Sequence, residues 1–382
     1  ILQPVLRAIA ADPALELCLM VTGAHLSPGH GLTVREVERD FPIVARVEML
    51  LASATPAGVA KSIGVGLLGF AQVYERLRPD ILLVLGDRFE TMAAALSALP
   101  FTIPVAHLHG GELSQGAMDD ALRHAITKLS HLHFVATADY ARRVIQLGEE
   151  PWRVTVCGAP GLDHLDTIEL LPLADLNRRY DLGLARPPLL VTYHPVTLEY
   201  EQTETQVGEL MAALEEAGLP VVFTAPNADP GSHLIQTAIT GYVQAHPEAR
   251  LVENLGTVGY FSLMAAAAAM VGNSSSGIIE AASFRLPVVN VGTRQQGRTR
   301  SANVIDTGYS RAEILAGIRR ATDPAFRESL RDLANPYRSD RPAAAVIVER
   351  LKTVPLDAKL THKRFYDLEF VPGTGGSHQP QE

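Results

Sequence analysis

Cysteine, tryptophan and basic excess are what this chain has least of. Its 382 residues include two cysteines and one tryptophan. Cys18 and Cys157 both lie in apolar, strand-like runs and read as buried, reduced thiols rather than a disulfide framework. The 33 Lys and Arg are outnumbered by 42 Asp and Glu, for a formal net charge of −9. That balance excludes an extended nucleic-acid footprint or an anionic membrane surface, while leaving room for a local basic pocket around a small anion. No signal-peptide pattern is visible and no window reaches ~18 unbroken apolar residues, so neither nucleic acid nor membrane is expected as a partner and the chain reads as cytoplasmic. No repeat of solenoid period is present.

What is there is an ordinary globular composition, 47% hydrophobic and 20% charged, at a length comfortable for two cores. Short apolar runs at 15–21, 80–85, 103–107, 132–136 and 153–157 alternate with helical patterns near 55–78, 87–99, 118–130 and 138–148. A second set of runs follows at 189–193, 220–224, 250–253, 268–272 and 287–291, closed by helical patterns at 310–321 and 340–352. Continuous apolar runs without a period of two are the signature of parallel strands covered on both faces. The expected class is α/β: two Rossmann-like doubly wound domains facing a cleft, at 1–168 and 186–352, with 353–382 as a C-terminal segment ending in a frayed tail. Residues 165–188 read as an irregular crossing. The chain opens on a helical pattern (ILQPVLRAIAAD), whereas such a domain normally opens on a strand, so a leading strand is expected to be missing from the N-terminus.

Two turns stand out: LLVLGDRFE (82–90) and VGNSSSGIIE (271–280). Each is an apolar strand that breaks at glycine and runs into a helix, the place where open α/β sheets bind ligands and where free N–H groups suit a phosphate. Asp87 and Arg88 follow the first strand; the next ends in His109-Gly110-Gly111-Glu112, and the following helix opens on Asp119-Asp120. Carboxylates crowded at neighbouring strand ends are expected to raise one another's pKa into the range of a usable acid or base. The glycine pair is expected to clear space for a ligand. His194, at a strand end of the second half, is a candidate cationic or donor imidazole for a leaving phosphate. In the second turn, Asn273, Ser274, Ser275 and Gly277 offer polar groups at a helix start, and Glu280 is placed to accept a ribose diol. Arg294 and Arg298 follow the next strand; Arg294 is the preferred phosphate neutraliser. His107 with His109, and His131 with His133, share strand faces at a spacing that suits zinc, but without cysteine or a third ligand no metal is expected.

Taken together, GDRFE, HGGE, DDALRHAITKLSH, TYHPVT, GNSSSGIIE and GTRQQGR, in that order, resemble the hydrolysing UDP-N-acetylglucosamine 2-epimerases of sialic-acid biosynthesis. The similarity spans essentially the whole chain, from VTGAH (21–25) to FYD (365–367). It implies the GT-B-like fold of nucleotide-sugar glycosyltransferases, no cofactor, and conversion of UDP-N-acetylglucosamine to N-acetylmannosamine and UDP through a 2-acetamidoglucal. It further implies catalytic roles for Asp87, Glu112, Asp119 and His194, and substrate or UDP contacts from Ser274, Ser275, Glu280, Arg88, Arg294 and His25. Where some relatives carry a catalytic Glu, this chain has His109, so that role passes to His109, to Glu112 or elsewhere. A homo-oligomer is expected. Three rivals remain: a non-hydrolysing epimerase, a hydrolysing epimerase acting on UDP-diacetylbacillosamine, and a glycosyltransferase or UDP-sugar-binding protein on the same scaffold.

Overall fold

A computed structural model describes residues 1–369 apart from 29–30, 52–54, 115–117 and 227–230; the expected frayed tail lies outside the described residues. Every strand pairing is parallel. In the N-terminal half β1 (Leu19–Thr22) pairs with β2 (Ile43–Val47), and β3 (Leu82–Leu85), β4 (Val105–Leu108), β5 (Leu132–Val135) and β6 (Val154–Val156) form a second section in that order. The two sections share no ladder among the described residues.

The C-terminal sheet is continuous. Its strands are β7 (Leu189–Thr192), β8 (Val221–Thr224), β9 (Ala249–Val252), β10 (Ala269–Gly272), β11 (Val288–Val291) and β12 (Val304–Thr307), in the order β12-β11-β10-β7-β8-β9. The chain runs outward from β7 to β9, then returns to β10 on the other side of β7. That reversal creates a crevice beyond the carboxyl ends of β7 and β10, where this topology places its ligands. Strands β7, β10 and β11 are buried throughout, because Val191, Val271 and Val289 are covered by the helices Thr203–Ala217 and Arg311–Thr322. The second of these helices starts on a capping box, with Ser310 Oγ 2.5 Å from the Glu313 carboxylate and accepting from the Glu313 N–H at 3.4 Å.

Two strands and several helices were not anticipated. Both strands lie at sheet edges and carry a charged residue, Arg46 in β2 and Asp306 in β12, which breaks the apolar run that marks a covered strand. The helices Val34–Asp40 and Leu173–Tyr180 are short and polar, and the second lies within the stretch read as an irregular crossing. Cys157 is buried, whereas Cys18, just ahead of β1, is only half-buried.

The helix Pro56–Leu77 is long and apolar enough to cross a membrane by length and composition alone. In the fold it turns Phe70, Val73 and Tyr74 into the core of the N-terminal half. The helix Ala343–Thr353, grouped with the second unit on sequence, packs instead on the first. Ala343, Ala344, Ile347 and Val348 share a core with Val5, Ile9, Ala106, Leu108 and Phe134. Its first N–H groups, those of Ala343 and Ala344, are held by the Asp163 carboxylate at 2.9 and 2.7 Å. The chain therefore crosses between the units twice, and the second crossing is fastened to the first unit by Ala159 N–H donating to Tyr337 O at 2.8 Å and Ser339 Oγ donating to Cys157 O at 2.9 Å.

Candidate active site

β3 and β4 end side by side, and a buried histidine ties their turns together. His107, in β4, is fully buried and donates from Nε2 to Gly86 O at 2.7 Å, while Nδ1 faces Thr127 Oγ1 at 3.3 Å. Burial pushes this imidazole down to about 3, so it stays neutral. His109 does not share its face, because the chain leaves the strand there: His109 has φ +62, a left-handed conformation rare for a side-chain-bearing residue. His131 accepts from Val105 N–H at 3.1 Å and His133 pairs with Glu149 at 2.9 Å. Each of the four imidazoles thus has its own separate partner.

The left-handed turn swings His109 Nδ1 to 2.5 Å from Glu112 Oε1. The two glycines between them answer to the protein, not to a ligand. A Cβ on Gly110 would lie 3.1 Å from both His107 Nδ1 and Thr127 Oγ1, and Gly111, at φ +77, sits where a Cβ would be 2.6 Å from Tyr140 O. Glu112 is 1% exposed, and its second oxygen lies 3.2 Å from Arg298 and 3.7 Å from Arg123. Burial alone would raise this carboxyl, but His109, Arg298 and Arg123 together hold it at about 2. The expected mutual raising of crowded carboxylates therefore does not operate on Glu112, because guanidinium groups separate it from its acidic neighbours. An ionised carboxylate only accepts, so His109 Nδ1 carries the hydrogen. Its Nε2 is buried without a hydrogen-bond partner among the described residues.

Asp87 lies one turn away. Arg123 donates to its carboxylate, to His109 O at 2.9 Å and to Ser114 Oγ at 3.1 Å. Asp119 and Asp120 occupy the first turn of the helix Met118–Leu129, where Asp120 accepts from Ser114 N–H at 2.7 Å. Asp119 is half-buried. Arg123 was not singled out from the sequence, although its i+4 spacing from Asp119 put it on the same helix face. Arg88 precedes the helix Phe89–Ala98 without a side-chain capping bond, half-exposed, 3.5 Å from the Glu90 carboxylate and with its guanidinium over the Phe89 ring. His25 follows β1 and meets Thr33 Oγ1 at 2.7 Å.

The second half contributes from the crevice beside β7 and β10. Asn273 is fully buried and is a clamp, not a ligand-facing amide: its Oδ1 accepts from His194 N–H at 2.7 Å and its Nδ2 donates to His194 O at 2.8 Å. The two strands approach so closely that a Cβ on Gly272 would lie 2.0 Å from Thr192 O. His194 is buried and driven down to about 3 by burial and by Arg294, so of the two forms expected from its position, cationic or neutral donor, the neutral one is populated. Arg294 and Gln295 both donate to Asn273 O, at 3.1 and 2.8 Å. Ser274 caps the short helix Ser275–Ile279, accepting from Ser276 N–H at 3.3 Å. Gly277 is a packing residue, since a Cβ there would press on Val288 at 2.9 Å.

Glu280 closes the arrangement. Its Oε2 is shielded and has no hydrogen-bond partner among the described residues. Burial lifts this carboxyl to about 7, against the pull of His109, with Glu112 adding a push upward. The group poised near neutrality is therefore Glu280. The halves meet again where Arg298 donates to Leu113 O at 2.9 Å, and where Tyr140 and Tyr337 join hydroxyls at 2.6 Å around Thr299. Arg298, ranked second to Arg294 as a phosphate neutraliser on sequence, belongs to the carboxylate cluster rather than beside Arg294.

Comparison with known proteins agrees with this architecture. Residues 7–352 match the family model described as UDP-N-acetylglucosamine 2-epimerase. The chain is 40% identical over 365 residues to the UDP-N,N'-diacetylbacillosamine 2-epimerase (hydrolyzing) of Legionella pneumophila, with 95% of each chain covered. It is 38% identical over 370 residues to the GDP/UDP-N,N'-diacetylbacillosamine 2-epimerase (hydrolyzing) of Campylobacter jejuni, with 96% of each covered. The fold superposes on the UDP-GlcNAc 2-epimerase of Neisseria meningitidis bound to UDP-GlcNAc with a TM-score of 0.78 at 19% identity, covering 92% of this chain and 95% of that one. With its two units in GT-B-like form, the chain belongs to the UDP-N-acetylglucosamine 2-epimerase family.

Proposed function

We propose that this protein is a hydrolysing 2-epimerase of a UDP-linked 2-acetamido sugar, with UDP-N,N'-diacetylbacillosamine the first substrate to test. The observation that carries the reaction class is the His109–Glu112 pair, joined at 2.5 Å, with His109 Nε2 buried and without a hydrogen-bond partner among the described residues. Full-length similarity to two hydrolysing diacetylbacillosamine epimerases favours that sugar over the UDP-N-acetylglucosamine expected from the sequence. The family description keeps UDP-N-acetylglucosamine, released as N-acetylmannosamine, as the second reading.

In this reading the diphosphate sits against His194, Arg294 and the Ser274–Ser275 turn, while Glu280 accepts the ribose diol. Asp87, Asp119 and the His109–Glu112 pair face the sugar, with Arg88 and His25 at its rim. The hydrogen on C2 is hardly acidic until the anomeric C–O bond breaks and UDP leaves with the bonding electrons. The resulting oxocarbenium ion then loses the C2 proton to a base, giving the 2-acetamidoglycal. Water adds its oxygen to C1 and a proton reaches C2 from the opposite face, so the centre is inverted and the free sugar departs. His109, with Nδ1–H held by Glu112, is suited to one proton transfer and Asp87 to the other; such groups contribute ~10²–10⁴-fold each. Neutral His194 acts as a hydrogen-bond donor to the leaving phosphate, leaving Arg294 to supply the positive charge. The reading is completed by a cytoplasmic setting and a homo-oligomer, for which the exposed Val65 and Leu68 on the helix Pro56–Leu77 offer apolar surface.

The test is incubation with each UDP-sugar separately, followed by NMR of the products. Free 2-epimerised sugar plus UDP is the expected result; an epimerised UDP-sugar, or no reaction with either substrate, overturns it.

A further inference from the structure

Arg298 stands on the loop that follows β11, yet all its described side-chain bonds reach the other unit. One terminal nitrogen lies 3.2 Å from Glu112 Oε2, Nε donates to Leu113 O at 2.9 Å, and the second terminal nitrogen donates to Ser114 Oγ at 3.3 Å. The side chain is 8% exposed, so these are desolvated contacts, where a guanidinium interaction is strong and a missing partner is costly. Ser114 Oγ also receives Arg123 and lies 3.4 Å from Asp87, which connects Arg298 to the second acidic group. The same short loop carries Arg294, whose guanidinium is tied to the β10 turn. Directly beyond Arg298, Thr299 is fixed by the Tyr140 and Tyr337 hydroxyls at 3.1 and 2.9 Å, so the backbone supporting Arg298 is held.

We infer that Arg298 is a positioning residue that assembles the His109–Glu112 pair from the opposite unit, so that seating of the 292–298 loop and readiness of the pair are one event. The inference rests on the hydrolysing reading for its effect on turnover, but not for its effect on Glu112. Glu112 divides its oxygens, one to His109 and one to Arg298 and Arg123. Without Arg298 the second oxygen keeps only the longer Arg123 contact. The carboxylate is then free to leave the geometry that fixes the imidazole hydrogen on Nδ1. The charged and titratable groups facing Glu112 are His109, Arg123, Arg298, Glu280 and Tyr337, so removing Arg298 takes away one of two permanent cations.

The experiment compares the full-length chain with Arg298→Gln and Arg298→Lys. It measures UDP affinity by calorimetry, kcat against pH on whichever UDP-sugar is turned over, and the Glu112 carboxyl titration by carbon-detected NMR. In Arg298→Gln we expect kcat to fall about 100-fold with UDP affinity changed less than about threefold. The acid limb of kcat and the Glu112 midpoint should both move up by about one pH unit or more, and Arg298→Lys should recover part of each. Loss of UDP binding at unchanged kcat overturns the inference, because Arg298 would then be a nucleotide ligand. Reduced kcat with an unmoved pH limb and carboxyl midpoint also overturns it, because the role would be merely structural. If Arg298→Gln does not fold, the Lys variant, which keeps the charge but loses the three-point geometry, gives the same two readings. If no UDP-sugar is turned over, the hydrolysing reading fails, while the Glu112 titration still decides the role of Arg298.

Discussion

His109 Nδ1 lies 2.5 Å from Glu112 Oε1, and the opposite ring nitrogen is buried with no hydrogen-bond partner among the described residues. The two side chains form a unit in which one keeps the other in a single tautomer. Substituting Glu112→Gln or His109→Gln should therefore lower kcat by about 10²–10⁴-fold each, while the double substitution costs little more than either alone. Steady-state kinetics on the four enzymes decides it; additive losses would show that the residues act separately.

Asp87 is bound by Arg123, a residue that also fixes His109 O. We expect Asp87→Asn to keep UDP binding and lose turnover by about 10²–10⁴-fold. Near-normal release of sugar by this variant refutes the role.

Glu280 carries a different signature. Its carboxyl is lifted to about 7 by burial, so at neutrality it is partly protonated. Only the ionised form accepts both hydroxyls of a ribose diol. UDP affinity should rise between about pH 6 and pH 8 and then level off, and Glu280→Gln should weaken binding roughly tenfold while flattening that rise. Calorimetric titrations across the range are the check, and an equal pH slope in the variant counts against the diol contact.

Acid stability follows from the buried imidazoles. His107 and His194 are neutral in the fold with pKa values of about 3, whereas an unfolded histidine titrates near 6.5. Below the unfolded value the unfolded chain binds the extra protons, so stability is lost as pH falls from about 6.5 toward 3. Each group costs on the order of 1–2 kcal/mol near pH 5.5. Glu112 and Glu149, held at about 2, act in the same direction but only below the unfolded carboxyl value of about 4.5. Thermal melts should therefore show a first decline beginning near pH 6.5, lessened in His107→Gln, and a second below about pH 4.5. A Tm constant from pH 7 to pH 5 would contradict this.

The turns bearing Asp87, His109 and Ser274 could be read from the sequence because each joins a continuous apolar run to a glycine and a helix start. Partnerships were not legible where they depend on distant elements. Arg298 meets Leu113 from 185 positions away, and no local pattern distinguishes it from Arg294 four residues earlier. The Gly110-Gly111 pair suggested room for a ligand, yet what limits Gly111 is the backbone of Tyr140, on a helix that packs beneath it. Asn273 looked like a binding amide because its neighbours are serines. Its real work, clamping His194, becomes visible only once β7 and β10 are known to be adjacent. Edge strands β2 and β12 escaped notice because Arg46 and Asp306 face outward, where a charge costs little.

The return of residues 343–353 to the first unit gives the molecule two tethers rather than one. They run close together, since Arg338 is paired with Asp166 and Ser339 bonds to Cys157 O. A lobe hung from a single linker can swivel in any direction, but one hung from a pair of pins must bend both together and is confined to a flap about the line joining them. Such a restraint narrows the directions in which Arg298 can be drawn away from Glu112.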